Sequence, residues 1–272
     1  MRRFSWFNAT SLTLGFAFLY LPMLMLIIYS FNGGRNVMIW GGFSTKWYGT
    51  LFQNEAFLDA AWVTLRVAVA TACLATVLGT LAAYVLVRAG RFTGRTLFSG
   101  MVYAPLVMPD VILGLSLLLL FKVMFDQMGM TTVILAHTTF TMCYVSVVVS
   151  SRLVSFDKSL EEAALDLGAS PFDSFISVTL PNILPAVISG WLLAFTLSLD
   201  DLVIASFTTG PGATTLPIKI FSAVRLGVSP EINALSTIMI SIVAVGVITA
   251  SLVNKRAVVQ RLRDEQKAEA SA

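Results

Sequence analysis

Six stretches of mainly apolar residues, roughly 11–31, 60–87, 98–121, 131–150, 184–208 and 232–253, constrain this chain more than any other feature. Each is long enough to cross a hydrocarbon layer about 30 Å thick as a helix. They are continuous rather than alternating with period two, and in lipid only helices and closed barrels leave no backbone group unpaired. Helices are therefore the reading. Of the 272 residues, 57% are apolar and 12% charged, with a mean hydropathy of +0.83. A soluble domain carries about 45–50% and about 25%. This excludes a water-soluble enzyme, a disordered chain and a secreted disulfide scaffold, because the apolar excess needs lipid to cover it. Met1-Arg2-Arg3 before an apolar run resembles a signal peptide, but the run from Leu12 to Phe31 exceeds a signal core of about 7–15 residues and no Ala-x-Ala site ends it. It is read as a retained first span.

Basic residues set the expected orientation. With both termini inside, twelve of the eighteen Lys and Arg fall in inner segments, from Arg2 and Arg3 through Arg88, Arg91, Arg95, Arg152 and Lys158 to the C-terminal cluster. Five fall in outer loops, and Arg66 lies within the second span. The positive-inside rule then places both termini in the cytoplasm. A net charge of +3 follows from that placement without any need for nucleic acid as a partner. Cys73 and Cys143 lie in different spans, with neither disulfide nor metal-ligand spacing. No linker divides the sequence, so residues 1–272 read as one membrane domain.

The segment 151–183 breaks the pattern. Asp157, Glu161, Glu162, Asp166 and Asp173 outnumber Arg152 and Lys158 where basic residues are the rule. Ser159 followed by Glu162 has the spacing of a capping box, Gly168 stands where a helix C-terminus needs positive φ, and Ser170-Pro171 with Asp173 repeats an N-terminal signal. Pro181 is expected to stop the second helix. Leu160, Ala163, Ala164 and Leu167 form one apolar face, and Phe172, Phe175 and Ile176 another. Two short helices at a glycine corner, acidic and apolar together, suit a docking element better than a surface lying on anionic lipid.

Glu162-Ala163-Ala164, Gly168, Val178 and Leu180-Pro181 resemble the EAA signature of ABC-importer permeases, Glu-Ala-Ala-x3-Gly-x9-Ile-x-Leu-Pro, with Val178 in place of Ile. The signature's place before the penultimate span also agrees. Residues 104–110, 189–201 and 206–217 resemble the polyamine branch, specifically the second permease subunit of putrescine/spermidine importers. The resemblance covers nearly the whole chain. It implies an all-α type I ABC-importer permease fold in a bacterial inner membrane, with six transmembrane helices and a cytoplasmic coupling helix. It further implies a paralogous permease, a cytoplasmic ATPase dimer and a periplasmic polyamine-binding protein as partners. Glu161, Glu162, Ala163, Ala164, Gly168, Leu180 and Pro181 would then couple to the ATPase. No Gly-x4-Gly-Lys-[Ser/Thr] loop occurs, so ATP and Mg would belong to the partner and this chain would bind no cofactor.

Carboxylates within spans each cost about 2.5–3.5 kcal/mol at a helix centre and normally mark a watery path. Asp110, Asp200 and Asp201 are the candidates for binding a polar, elongated cation. On straight helices Asp110 would lie ~18 Å and Asp200 ~24 Å from the inner face. Pro105 and Pro109 are expected to break or kink the third span, which leaves Asp110 open to a capping role. Gly190, Ala194, Ser198, Asp201, Ala205 and Thr208 form a small, polar stripe that suits either close helix approach or a narrow path. Asp201 is preferred over Asp200 for the path, with a structural hydrogen-bond role open for either. Trp191, Phe195 and Phe221 could add cation–π contact or simply pack. His137, the single histidine, is expected to be a structural polar group. Two other functions stay open on the residues: an ABC permease for another small solute, and a secondary transporter using the Asp residues as proton relays.

Overall fold

The computed structural model describes residues 6–36, 39–227 and 229–245. They form helices α1 (Trp6–Ser30), α2 (Lys46–Gln53), α3 (Glu55–Arg88), α4 (Arg95–Val107), α5 (Asp110–Met124), α6 (Met130–Ser155), α7 (Ser159–Asp166), α8 (Pro171–Ser174), α9 (Leu180–Asp200), α10 (Val203–Thr208), α11 (Leu216–Leu226) and α12 (Pro230–Val245). Among the described residues the one β contact is an isolated Asn32–Phe43 bridge. Chain contacts divide the protein into two compact units, 1–55 with 222–272, and 56–221.

In the first unit, the loop after α1 is organised by Asn32. Its Nδ2 donates to the carbonyls of Asn36 (3.2 Å) and Ile39 (2.8 Å), and its Oδ1 accepts from the backbone N–H of Gly34 (3.1 Å) and Gly41 (2.7 Å). The Asn32 carbonyl accepts from Trp47 Nε1 at 2.7 Å. Aromatic side chains next to a membrane-crossing helix suit an interfacial belt. Trp40 and Phe43 are exposed as a belt requires, whereas Trp47 is buried as a hydrogen-bonded anchor.

The second unit is built on α3, α6 and α9. Ala72, Ala75 and Ala83 of α3, Val145, Val149 and Leu153 of α6, and Ile183 and Ala194 of α9 share one core cluster. Lipid tails are as apolar as leucine, so small residues that let backbones approach supply much of the attraction. Val145 shows this directly. A Cβ on Gly79 would lie 2.8 Å from its Cβ, and one on Gly190 would lie 3.1 Å from its Cγ1. The stripe Gly190, Ala194, Ser198, Ala205 and Thr208 is buried, as close approach requires. Further along α6, Ala136 and Phe140 pack with Leu113, Leu117 and Phe121 of α5 and Ile204 of α10.

Four helices are long and apolar enough to cross a membrane: α1, α3, α6 and the continuous run Pro171–Asp200. The third expected span, 98–121, is instead the pair α4 and α5, bent by 118°. Pro109 forces the preceding Met108 out of the helical region, to φ −80° and ψ 134°. A straight-helix depth of ~18 Å for Asp110 therefore does not hold, since beyond the bend residues no longer climb along one axis. The fifth expected span, 184–208, also differs. It begins earlier, and it ends at Asp200 because Asp201 takes an extended conformation (φ −64°, ψ 127°). For the sixth, 232–253, α12 covers Pro230–Val245 and the remainder lies outside the described residues. The described helices thus fall short of six complete spans while remaining all-α.

Candidate functional site

The acidic segment forms around α7 by local rules, though not all of those expected. Ser159 does not form a capping box with Glu162. The Oδ1 of Asp157 accepts from Ser159 N–H at 2.9 Å, and these hydrogen bonds hold the Asp157 carboxyl below the usual carboxylate range. Glu162 instead pairs with Lys158 at 2.9 Å on the open surface. The C-terminus behaves as its glycine suggests. Gly168 has φ +93°, its N–H reaches the Leu165 carbonyl (2.9 Å), and the Ala169 N–H reaches that of Ala164 (3.0 Å). That pair of bonds is a Schellman closure. Ser170 then accepts from the Asp173 N–H (3.2 Å) and donates to its carboxylate (2.6 Å), with Pro171 in the first turn.

Pro181 does not stop the helix that follows. A π-helical turn, Phe175–Thr179, precedes α9, and the Leu180 N–H reaches back to the Phe175 carbonyl, so the wider turn carries the helical run past Pro181. The Asn182 side chain donates to the Val178 carbonyl at 2.7 Å. The expected pair of short helices is therefore one short helix, α7, attached through the glycine corner to a 30-residue helical run ending at Asp200.

The two faces of α7 differ in role. Glu161 points inward and is buried. Its Oε2 lies 3.0 Å from Arg88 Nε at the end of α3, and its Oε1 accepts from Thr179 Oγ1 at 2.8 Å. The other face is open. Glu162, Ala163 and Leu160 are exposed, Leu167 is 90% exposed and Phe172 is 71% exposed. Exposed Leu160 and Leu167 thus lie in the same segment as exposed Glu162 and Asp166, with Phe172 exposed just beyond the glycine corner.

The expected path residues separate into two groups. Ser198, Asp201 and His137 come together inside the subunit, buried or nearly so. His137 Nδ1 is 2.8 Å from Ser198 Oγ, and its Nε2 is 3.2 Å from Asp201 Oδ2, close but poorly aligned for a hydrogen bond. Asp201 Oδ2 also accepts from the Ala205 N–H at 2.7 Å, which starts α10 after the break. Trp191 and Phe195 stack at 5.4 Å and pack on the α3–α6–α9 core, and Trp191 Nε1 points to Cys73 Sγ at 3.5 Å. Asp110 and Asp200 are exposed, Asp110 in the first turn of α5 and Asp200 at the last residue of α9. The Arg88 link to Glu161 is absent from the sequence reading, since a pair 73 residues apart leaves no local signal.

Long apolar helices packed through small residues, with a short acidic helix beside them, define an α-helical membrane protein. The sequence gives the same class: residues 75–264 match the family described as the binding-protein-dependent transport system inner membrane component, and the chain belongs to it. It is 57% identical over 263 residues to the putrescine transport system permease protein PotI of Escherichia coli K12, covering 94% of each chain. To the spermidine/putrescine transport system permease protein PotC of the same organism it is 45% identical over 238 residues, 88% of this chain and 90% of the relative. Among solved structures, a bacterial ABC transporter that imports the acidic polysaccharide alginate superposes with a TM-score of 0.71 at 17% identity, over 91% of this chain and 94% of that one. The MetNI methionine ABC transporter gives 0.61 at 18% identity, over 74% and 95%. The ABC-importer permease fold is thereby shown.

Proposed function

We propose that this chain is the permease subunit of an ATP-driven polyamine importer that carries putrescine or spermidine. The observation that carries this reading is the 57% identity with PotI across 94% of both chains. The chain lines the path together with a paralogous permease, receives polyamine from a periplasmic binding protein, and is driven by a cytoplasmic ATPase dimer that holds the ATP and Mg. It hydrolyses nothing itself. Both termini and α7 lie on the cytoplasmic side of the bacterial inner membrane, and α7 with the Gly168 corner and the Leu180-Pro181 start of α9 docks on the ATPase.

Asp200 is the strongest candidate for polyamine contact. It sits exposed at the C-terminal end of α9, where the helix macrodipole disfavours an anion and favours a cation beside it. Asp110, in the first turn of α5, is already favoured by its helix and contributes a second carboxylate at the bend. Asp201 and Ser198 shape the break between α9 and α10 through His137, and Trp191 and Phe195 support α9 from the core side.

The test is reconstitution in proteoliposomes with the paralogue, the ATPase and the binding protein. Putrescine-loaded binding protein is expected to stimulate ATP hydrolysis and uptake together. Uptake by this chain alone, driven by a proton gradient and indifferent to ATP, would overturn the reading.

A further inference from the structure

We propose that Arg88 and Glu161 are positioning residues that clamp α7 to the end of α3, so that the coupling movement drives α3 as well as α9. The inference rests on reading α7 as the element the ATPase grips. The covalent attachments of α7 are non-helical on both sides. Before it runs the extended Phe156 and the bend to Lys158, and after it comes the Gly168 corner at φ +93°. Neither connection continues the helix axis of α7 into its neighbours, so the backbone alone does not make α7 and α3 one rigid unit.

The Arg88 guanidinium supplies what they lack. Its Nε reaches both carboxylate oxygens of Glu161, at 3.0 Å and 3.2 Å, and its Nη2 donates to the Phe156 carbonyl at 3.4 Å. Glu161 in turn accepts from Thr179, and its backbone carbonyl accepts from Ser174 Oγ at 3.4 Å. One turn before Arg88, the Tyr84 ring meets Phe175 edge-on at 4.8 Å. A single charged pair thus joins the end of α3, the segment before α7, α7 itself and the turn leading into α9. The two side chains are only 12% and 10% exposed. Apolar residues of similar volume often serve stability as well as or better than a buried ion pair, so stability alone does not account for one. What a planar guanidinium held at once by the Glu161 carboxylate and the Phe156 carbonyl adds is a fixed orientation.

Arg88→Met, Glu161→Gln and the double variant, each in the full reconstituted complex, test the clamp. Gln keeps an acceptor for Thr179 and removes only the charge. Putrescine moved per ATP hydrolysed is expected to fall about tenfold in every variant, while ATPase assembly and hydrolysis stay within about twofold. The double variant leaves no unpaired buried charge, so it is expected to recover the wild-type melting temperature yet remain uncoupled. Recovery of transport per ATP in the double variant would overturn the proposal, as would an unchanged ratio in either single variant. A wild-type complex without ATP-driven uptake would instead remove the coupling reading on which the clamp rests.

Discussion

Asp200 and Asp201 are adjacent in sequence and opposite in circumstance. Asp201 is 10% exposed and engaged with His137 and the Ala205 N–H, whereas Asp200 is open at a helix end that disfavours its charge. Asp200→Asn is therefore expected to raise the KM for putrescine uptake with the melting temperature unchanged. Asp201→Ala is expected to lower stability by about 1 kcal/mol, the cost of losing a helix-starting acceptor. Transport kinetics beside thermal unfolding in detergent check both, and the reverse assignment would show that Asp201 lines the path. Asp157 gives a pH prediction. Its carboxyl is depressed by the Ser159 hydrogen bonds, so its support of α7 is fully present above the unfolded carboxylate value of about 4 and is lost as pH falls through the lower folded value. Hydrogen exchange of α7 should be flat from pH 5 to pH 8 in wild type. Protection that changed within that window would assign the cap to another group. The sequence already displayed the residues that act locally, such as Gly168 and the Ser170-Pro171 start. It concealed which carboxylates are consumed by partners, because the Asp201–His137 and Glu161–Arg88 pairs exist only after distant helices pack.

At the level of elements, apolar run length identified the helices well, since lipid imposes one requirement on all of them. Their interruptions were half visible. Pro109 announced the break between α4 and α5, but the size of the 118° bend depends on what α5 packs against. Pro181 misled, because a π turn ahead of it lets the helix pass through. The consequence is mechanical: one helical run of 30 residues links the Gly168 corner to the Asp200 carboxylate. The glycine seam should be equally intolerant of change. Gly190→Leu would drive a side chain into Val145, whose Cγ1 already lies 3.1 Å from the missing Cβ. Overpacking of that kind costs about 1–3 kcal/mol. A lower melting temperature, with insertion intact, is the expected result, and an unaffected one would mean that α6 and α9 do not pack this closely in the membrane.

On the scale of the whole molecule, Asp110 and Asp200 stand exposed at helix ends and α7 carries an open face, while the sequence has no phosphate-binding loop. On the proposed reading, energy enters from another protein through α7 and the Gly168 corner, where Leu167 and Phe172 stand uncovered on either side of that corner. The direct measurement is the accessibility of a thiol in a Leu167→Cys variant carrying Cys73→Ser and Cys143→Ser, probed in membranes with a water-soluble maleimide. The account predicts rapid labelling of the isolated chain and protection once the partner ATPase is bound. Labelling only by a lipid-dissolved reagent, or aqueous labelling that the ATPase does not slow, would contradict it.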